Sequence, residues 1–207
     1  MIRPPGRLGV AYSESSDGDV RSDSAAQSAL SRKIGVDEEW ATVRQVHGRD
    51  VVRVDGPGDA GEADALWTTL PGLPLAVFTA DCLGVVLHAD GAAGVAHAGW
   101  RGVEAGVVAG LRSEMSKAGH VPHTAEVGPG IGACCFEVGD EVAVRFPMAR
   151  ATTTWGTTSV DLVVAVASQL DGLDTWTAGA CTMHEPGWFS HRQDGTTQRL
   201  ATIGWVQ

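Results

Sequence analysis

Between Leu75 and Ala98 three apolar runs follow one another with only turn residues between them: Leu75–Thr79, Leu83–His88 and Gly94–Ala98. Each is too short for an ordinary helix. Their apolar character is also continuous rather than alternating, which is the pattern of strands buried on both faces. Strands this closely spaced leave no room for crossover helices, so the sheet they form is mixed rather than doubly wound.

Weaker signals extend outward from that centre. Residues 1 to about 35 are mostly polar, with Ser13 to Ser24 reading as a loop and Ala25–Lys33 as a short helix. Thr42–His47 and Val51–Val54 read as two strands around the turn Gly48-Arg49-Asp50. Val103, Val107, Leu111 and Met115 keep a helical spacing that predicts one helix over Val103–Ala118, ending at Gly119. A strand over Ala125–Val127 leads into Gly128-Pro129-Gly130-Ile131-Gly132, a close-packed turn that lacks the GK[ST] ending of a phosphate loop. A helix is expected near Glu137. Another is expected from an N-cap at Ser159 to Leu170, before strands near Trp176–Ala180 and Leu200–Val206. The whole is an α/β chain of the α+β type, and 207 residues suit one compact domain.

A net charge of −10 disfavours binding along a nucleic acid, where each phosphate contact needs a basic group. No apolar stretch reaches the length of a membrane span, and the N-terminus has no signal-like apolar region. A cytoplasmic protein is the expectation. Cys82, Cys134, Cys135 and Cys181 lack CxxC spacing and read as reduced thiols, with Cys134 and Cys135 expected to be packing residues. His88, His120, His123 and His184 belong to no recognisable constellation.

Reactive side chains concentrate at three strand ends: Arg44-Gln45-Val46-His47-Gly48, Thr79-Ala80-Asp81-Cys82-Leu83 and Ala96-His97-Ala98-Gly99-Trp100-Arg101-Gly102. His47, Cys82 and His97 could together hold zinc or copper, since imidazole and thiolate suit both and three protein ligands leave one position open. The same residues read equally as a buried thiol and a core histidine, or as a Cys82 nucleophile with His97 as its base. Gly99-Trp100-Arg101-Gly102 precedes a helix, where backbone amides and the Arg101 guanidinium would suit phosphate. Gln45, Trp100, His191 and Arg192 are the other candidate substrate contacts.

Taken in order, Gln45-Val46-His47-Gly48, Ala63-Asp64-Ala65, Thr79-Ala80-Asp81-Cys82, His97-Ala98-Gly99-Trp100-Arg101-Gly102 and Gly128-Pro129-Gly130-Ile131-Gly132 resemble a known family. Cys181-Thr182 and Phe189-Ser190-His191-Arg192 continue the match. The family is the YfiH-like purine nucleoside phosphorylases, formerly labelled multicopper polyphenol oxidases or laccase-domain proteins. The resemblance implies a single CNF/YfiH-like domain over 1–207, with mixed sheets in a sandwich-like core flanked by helices. It places the zinc ligands on His47, Cys82 and His97, with copper as the other metal. It implies phosphorolysis of adenosine, inosine, guanosine and methylthioadenosine, and deamination of adenosine. Its partners would be a purine nucleoside and phosphate, with oligomeric state open. From its place beside Cys82, Asp81 reads as a proton shuttle or as a turn-capping carboxylate. Peptidoglycan editing by a Cys–His hydrolase or amidase, and copper-dependent phenol oxidation, are the alternative activities. Residues 1–35 depart from the family: Ala11-Tyr12-Ser13-Glu14 and Asp17-Gly18-Asp19 stand where members carry an arginine and a double glycine. Gln198-Arg199 replaces a Gly-Arg, and Met183 stands where tyrosine is common.

Overall fold

A computed structural model describes residues 1–207. Its strands are β1 (Val10–Tyr12), β2 (Ala41–Arg44), β3 (Val51–Arg53), β4 (Gly58–Glu62), β5 (Ala65–Thr68), β6 (Leu75–Thr79), β7 (Leu83–Ala89), β8 (Ala92–Ala98), β9 (Thr124–Val127), β10 (Arg150–Thr152), β11 (Thr158–Val160), β12 (Asp174–Thr177) and β13 (Leu200–Gly204). The helices are α1 (Ser24–Ile34), α2 (Trp100–Ala105), α3 (Val107–Lys117), α4 (Asp140–Ala143), α5 (Leu162–Ala167) and α6 (His191–Asp194). None is long and apolar enough to cross a membrane.

Two mixed sheets stack face to face, one in the order β1-β13-β6-β2-β4 and the other β12-β9-β7-β8-β5-β3, with β10 and β11 forming a separate ribbon. Strand alternation assigns every apolar side chain to a layer. Along β6, Leu75 and Val77 enter the core between the sheets, while Ala76 and Phe78 face α1 together with Leu30, Ile34 and Ile203. Along β7, Val86 faces the first sheet, and Leu83, Val85 and Leu87 face α2, α3 and α5. The layering is therefore helix, sheet, sheet, helix, and the central strands are buried on both sides, as their continuous apolar runs require. The sheets approach closely where glycines remove side chains. A Cβ on Gly204 would lie 2.8 Å from both Val86 and Val95, and one on Gly84 would overlap Thr202.

Several elements differ from the sequence expectations. The stretch before α1 contains β1, which pairs with β13, rather than only loop. β2 and β3 belong to different sheets, so Gly48-Arg49-Asp50 is a passage between layers and not a hairpin turn. The expected helix over Val103–Ala118 is two helices, because Gly106, at φ 83, ends α2 and begins α3. Ser159 lies in β11, and the cap of α5 is Asp161, whose carboxylate accepts from the N–H groups of Val163 and Val164. The helix expected near Glu137 starts only at Asp140.

Candidate metal centre

Three chain turns meet at one end of the stacked sheets. The register of the β7–β8 hairpin pairs Leu83 with Ala98 and Gly84 with His97, so Cys82 arrives opposite Gly99 and beside His97. His47 comes from the other sheet, on the segment leaving β2. The His47 and His97 rings meet edge to face with centroids 4.7 Å apart. The ligand atoms of His47, Cys82 and His97 all lie within 4.8 Å of one another. His97 is buried, Cys82 half-buried and His47 exposed.

Asp64 organises this meeting from beneath. Its carboxylate is fully buried and accepts from the N–H groups of Val46 (3.1 Å), His47 (3.0 Å) and Gly48 (2.6 Å). It also accepts from His97 Nδ1 at 2.7 Å. One side chain thus fixes both the segment that carries His47 and the ring orientation of His97, leaving Nε2 of His97 for the cluster. Burial works against charge on Asp64, but the His97 bond and the amide donors outweigh it and hold the carboxyl below its ordinary value.

The same contest operates within the cluster. Burial opposes a thiolate at Cys82, yet hydrogen bonds from His47 and His97 and their positive charge bring the thiol down from 9.0 to about 6. Burial opposes an imidazolium at His97, and its bonds to Asp64 and Cys82 raise the ring from 6.5 to about 9. Two imidazoles and one thiol in mutual reach are a donor set that fits a borderline-soft ion such as zinc. Gly99 keeps the space open, since a Cβ there would stand 2.9 Å from Cys82 Sγ and 3.1 Å from His47 Cδ2.

His47 (φ 60) and Asp81 (φ 93) are the two non-glycine residues with positive φ, and both adjoin the cluster. Asp81 is held by its surroundings. Its carboxylate accepts from the Thr182 hydroxyl (2.8 Å) and from the Arg192 backbone N–H (2.7 Å), while its carbonyl accepts from Ile131 N–H (2.7 Å). Gln45 is also engaged, exchanging two 2.8 Å hydrogen bonds with the backbone of Phe78.

A cavity of about 790 Å³ opens over the cluster. Of the residues singled out in the sequence, Gln45, His47, Asp81, Cys82, His97, Trp100, His191 and Arg192 line it. Arg101 does not; its guanidinium stacks on the Trp100 ring, 4.3 Å from the centroid. The lining adds Arg21, Arg44 and Arg199, which sequence reasoning had not marked as contacts. Asp64 was visible only as part of a motif, because a buried carboxylate has no sequence signature of its own. A second cavity of about 800 Å³, bounded by Gly35–Asp37, Asp55–Pro57 and Leu70–Leu73, has no His, Cys or Arg in its lining. The clustered thiol, imidazoles and guanidinium groups line the first.

Away from this cleft, the thiols of Cys134, Cys135 and Cys181 gather around His184, whose Nδ1 is 3.4 Å from both Cys134 Sγ and Cys135 Sγ. Cys135 and Cys181 do pack in the core with Cys134 against them, as expected, and His184 joins them in a constellation that the sequence did not reveal.

Comparison with known proteins agrees with this architecture. The family described as "Multi-copper polyphenol oxidoreductase laccase" matches residues 12–207. A Streptomyces griseus protein named purine nucleoside phosphorylase is 41% identical over 91% of this chain and 85% of its own length. A Streptomyces coelicolor protein of the same name is 39% identical over 88% and 81%. The crystal structure of YlmD from Geobacillus stearothermophilus shares the fold, with a TM-score of 0.83 over 99% of this chain and 94% of that one at 23% identity.

Proposed function

The chain belongs to the multi-copper polyphenol oxidoreductase laccase family, and on that premise we propose that it is a zinc-dependent enzyme of purine nucleosides. In this reading it splits adenosine, inosine, guanosine or methylthioadenosine with phosphate and deaminates adenosine. The observation that carries it is a single cleft lined both by His47, Cys82 and His97 and by Arg21, Arg44, Arg192 and Arg199. Two relatives at 41% and 39% identity bear the name purine nucleoside phosphorylase, which supports a purine nucleoside and phosphate as the substrates.

His47, Cys82 and His97 would hold the ion. Zinc so held supplies Lewis acidity and makes neighbouring water acidic enough to act near neutral pH. The rest of the work falls to the protein. Asp64 keeps His97 Nδ1 protonated and its ring fixed. Trp100 offers an aromatic wall against which a purine can lie. The cleft arginines, rather than Arg101, take the phosphate, since guanidinium groups match its oxygens in charge and geometry. In phosphorolysis a phosphate oxygen bonds to ribose C1′ while the bond from C1′ to the purine breaks. The electron pair leaves with the base, which takes up a proton. In deamination water adds at C6 and ammonia departs. Asp81, with each carboxylate oxygen tethered by one donor, is assigned to positioning the Thr182–Arg192 segment rather than to moving protons.

One observation favours a second reading. A Cys82 thiol brought to about 6 beside an imidazolium is also the activated pair of a Cys–His hydrolase or amidase. Incubating wild type and His47→Ala, Cys82→Ala and His97→Ala with adenosine and phosphate, with products read by mass spectrometry, tests the first. Adenine with ribose-1-phosphate, or inosine, from wild type alone is the expected result. Identical silence from all four proteins overturns it, and activity that survives complete metal removal transfers the case to the thiolate.

A further inference from the structure

Cys134, Cys135, Cys181 and His184 take no part in the cleft. Their ligand atoms nonetheless all lie within 4.8 Å of one another, as do those of the His–Cys–His cluster. We propose that these four side chains hold a second, structural zinc ion.

The distances suit it. A tetrahedron with metal–sulfur bonds of ~2.3 Å and metal–nitrogen bonds of ~2.0 Å has ligand–ligand edges of roughly 3.5–3.8 Å. His184 Nδ1 already stands 3.4 Å from both Cys134 Sγ and Cys135 Sγ. Consecutive residues seldom aim their side chains at one point, but a tight turn does this here: Cys135 and Phe136 both donate backbone N–H groups to the Gly132 carbonyl. Gly132 also leaves the room. A Cβ there would lie 3.2 Å from Cys134 Sγ and 3.2 Å from Cys181 Cβ. On the other side, Cys181 and His184 have the short ligand spacing that lets one turn supply two donors, and the Glu185 N–H to Cys181 carbonyl bond closes that turn.

One of the three sulfurs already has a donor turned toward it. The Gly132 N–H donates to Cys181 Sγ at 3.2 Å. Three thiols and an imidazole meeting a divalent cation would release three protons to solvent and leave a centre of charge −1, which such amide donors help to offset. Four protein ligands close the coordination sphere, so the ion would bind no substrate.

Its place in the fold gives it a task. The ligands come from two segments only, the turn after Gly128–Gly132 and the stretch beginning at Cys181. These already touch where Thr182 N–H donates to Gly130 O. Ile131 and Thr182 from the same segments grip Asp81, the neighbour of Cys82. The second ion would therefore lock the wall of the cleft from behind. The inference needs no nucleoside chemistry in the cleft; only the expected stoichiometry of two rests on the zinc proposed there.

The test is metal content of the full chain purified under a phosphine reductant and loaded with zinc alone. Wild type should hold two equivalents, Cys82→Ser one, and Cys181→Ser/His184→Ala one. Cobalt(II) added to metal-free Cys82→Ser should give the intense thiolate-to-cobalt absorption of a centre with several sulfur ligands. That measurement keeps the proposal testable if the double variant fails to fold. Cys82→Ser that binds neither zinc nor cobalt while all its remaining thiols are reduced overturns it. So does a wild-type content unchanged in folded Cys181→Ser/His184→Ala.

Discussion

His97 Nδ1 donates to Asp64 Oδ1 at 2.7 Å, and the same carboxylate takes three backbone N–H groups from Val46, His47 and Gly48. One buried charge thus aligns two proposed metal ligands that come from different sheets. Asp64→Asn keeps the shape but turns one acceptor into a donor, which must then face an N–H group. Zinc affinity of the cleft site should fall about 10–100-fold, as loss of an outer carboxylate partner commonly costs. Competition against a chromophoric chelator reads this directly. Unchanged affinity would show that the ring is oriented by packing alone.

Gly99 matters through space rather than backbone freedom, since its φ is an ordinary −69. In Gly99→Ala the new methyl would meet Cys82 Sγ at 2.9 Å and His47 Cδ2 at 3.1 Å, so one ligand must move aside. The expected outcome is an intact fold by circular dichroism with zinc affinity at least about tenfold weaker, or ~1.4 kcal/mol. Wild-type affinity in this variant would mean that the three donors are not used together.

In the metal-free protein Cys82 and His97 form a thiolate–imidazolium pair with a defined pH window. Cys82 drops from 9.0 to about 6, so its stabilising share is complete above pH 9 and disappears as pH falls through about 6. His97 rises from 6.5 to about 9, so its share is complete below pH 6.5 and disappears as pH rises through about 9. The charged pair therefore exists between about pH 6 and pH 9. Site-resolved alkylation by iodoacetamide after zinc removal should show Cys82 reacting with an inflection near pH 6. An inflection near the ordinary thiol value would remove the imidazolium partner.

The sheet–sheet contact can be probed at Gly84, where a Cβ would overlap Thr202. Gly84→Ala should lower unfolding free energy by about 1–3 kcal/mol, the usual effect of overpacking a core. Gly84→Ala/Thr202→Ala, which removes the Thr202 hydroxyl that the new Cβ would meet first and the methyl beside it, should recover part of it. Urea denaturation measures both, and a neutral Gly84→Ala would mean that the layers slide apart freely.

The parts of this fold legible in the sequence were those whose burial is two-sided. β6, β7 and β8 show themselves because Leu75–Thr79, Leu83–Ala89 and Ala92–Ala98 have no solvent face to interrupt the apolar run. β4 could not be seen: Gly58–Glu62 is a mostly exposed edge strand whose residues say turn, and only pairing with β2 makes it extended. Ser159 and Asp161 are both good helix caps two positions apart, and tertiary pairing of Ser159 with Ala151 decides between them. His47, Cys82 and His97 were legible because each ends an apolar run beside a small or polar residue. The Cys134–Cys135–Cys181–His184 cluster was hidden by distance along the chain, with adjacent cysteines that match no familiar ligand spacing.

Asp81 separates two ways in which a carboxylate beside a metal ligand can serve a reaction. A proton shuttle must turn toward substrate, and each oxygen here is tethered by one donor, the Thr182 hydroxyl or the Arg192 N–H. Asp81→Asn tolerates the left-handed backbone at φ 93, as asparagine does better than most residues. Its amide can still accept one of the two bonds but sets a donor against the other. If Asp81 positions the Thr182–Arg192 segment, nucleoside KM should rise about tenfold, with zinc content and the pH profile of kcat unchanged. The loss of one hydrogen bond to a charged group, ~1.5–3 kcal/mol, is large enough for that. If Asp81 instead moves the proton, kcat itself should fall and one limb of its pH profile should vanish, with KM little changed. Steady-state kinetics across pH on this one variant decide between them.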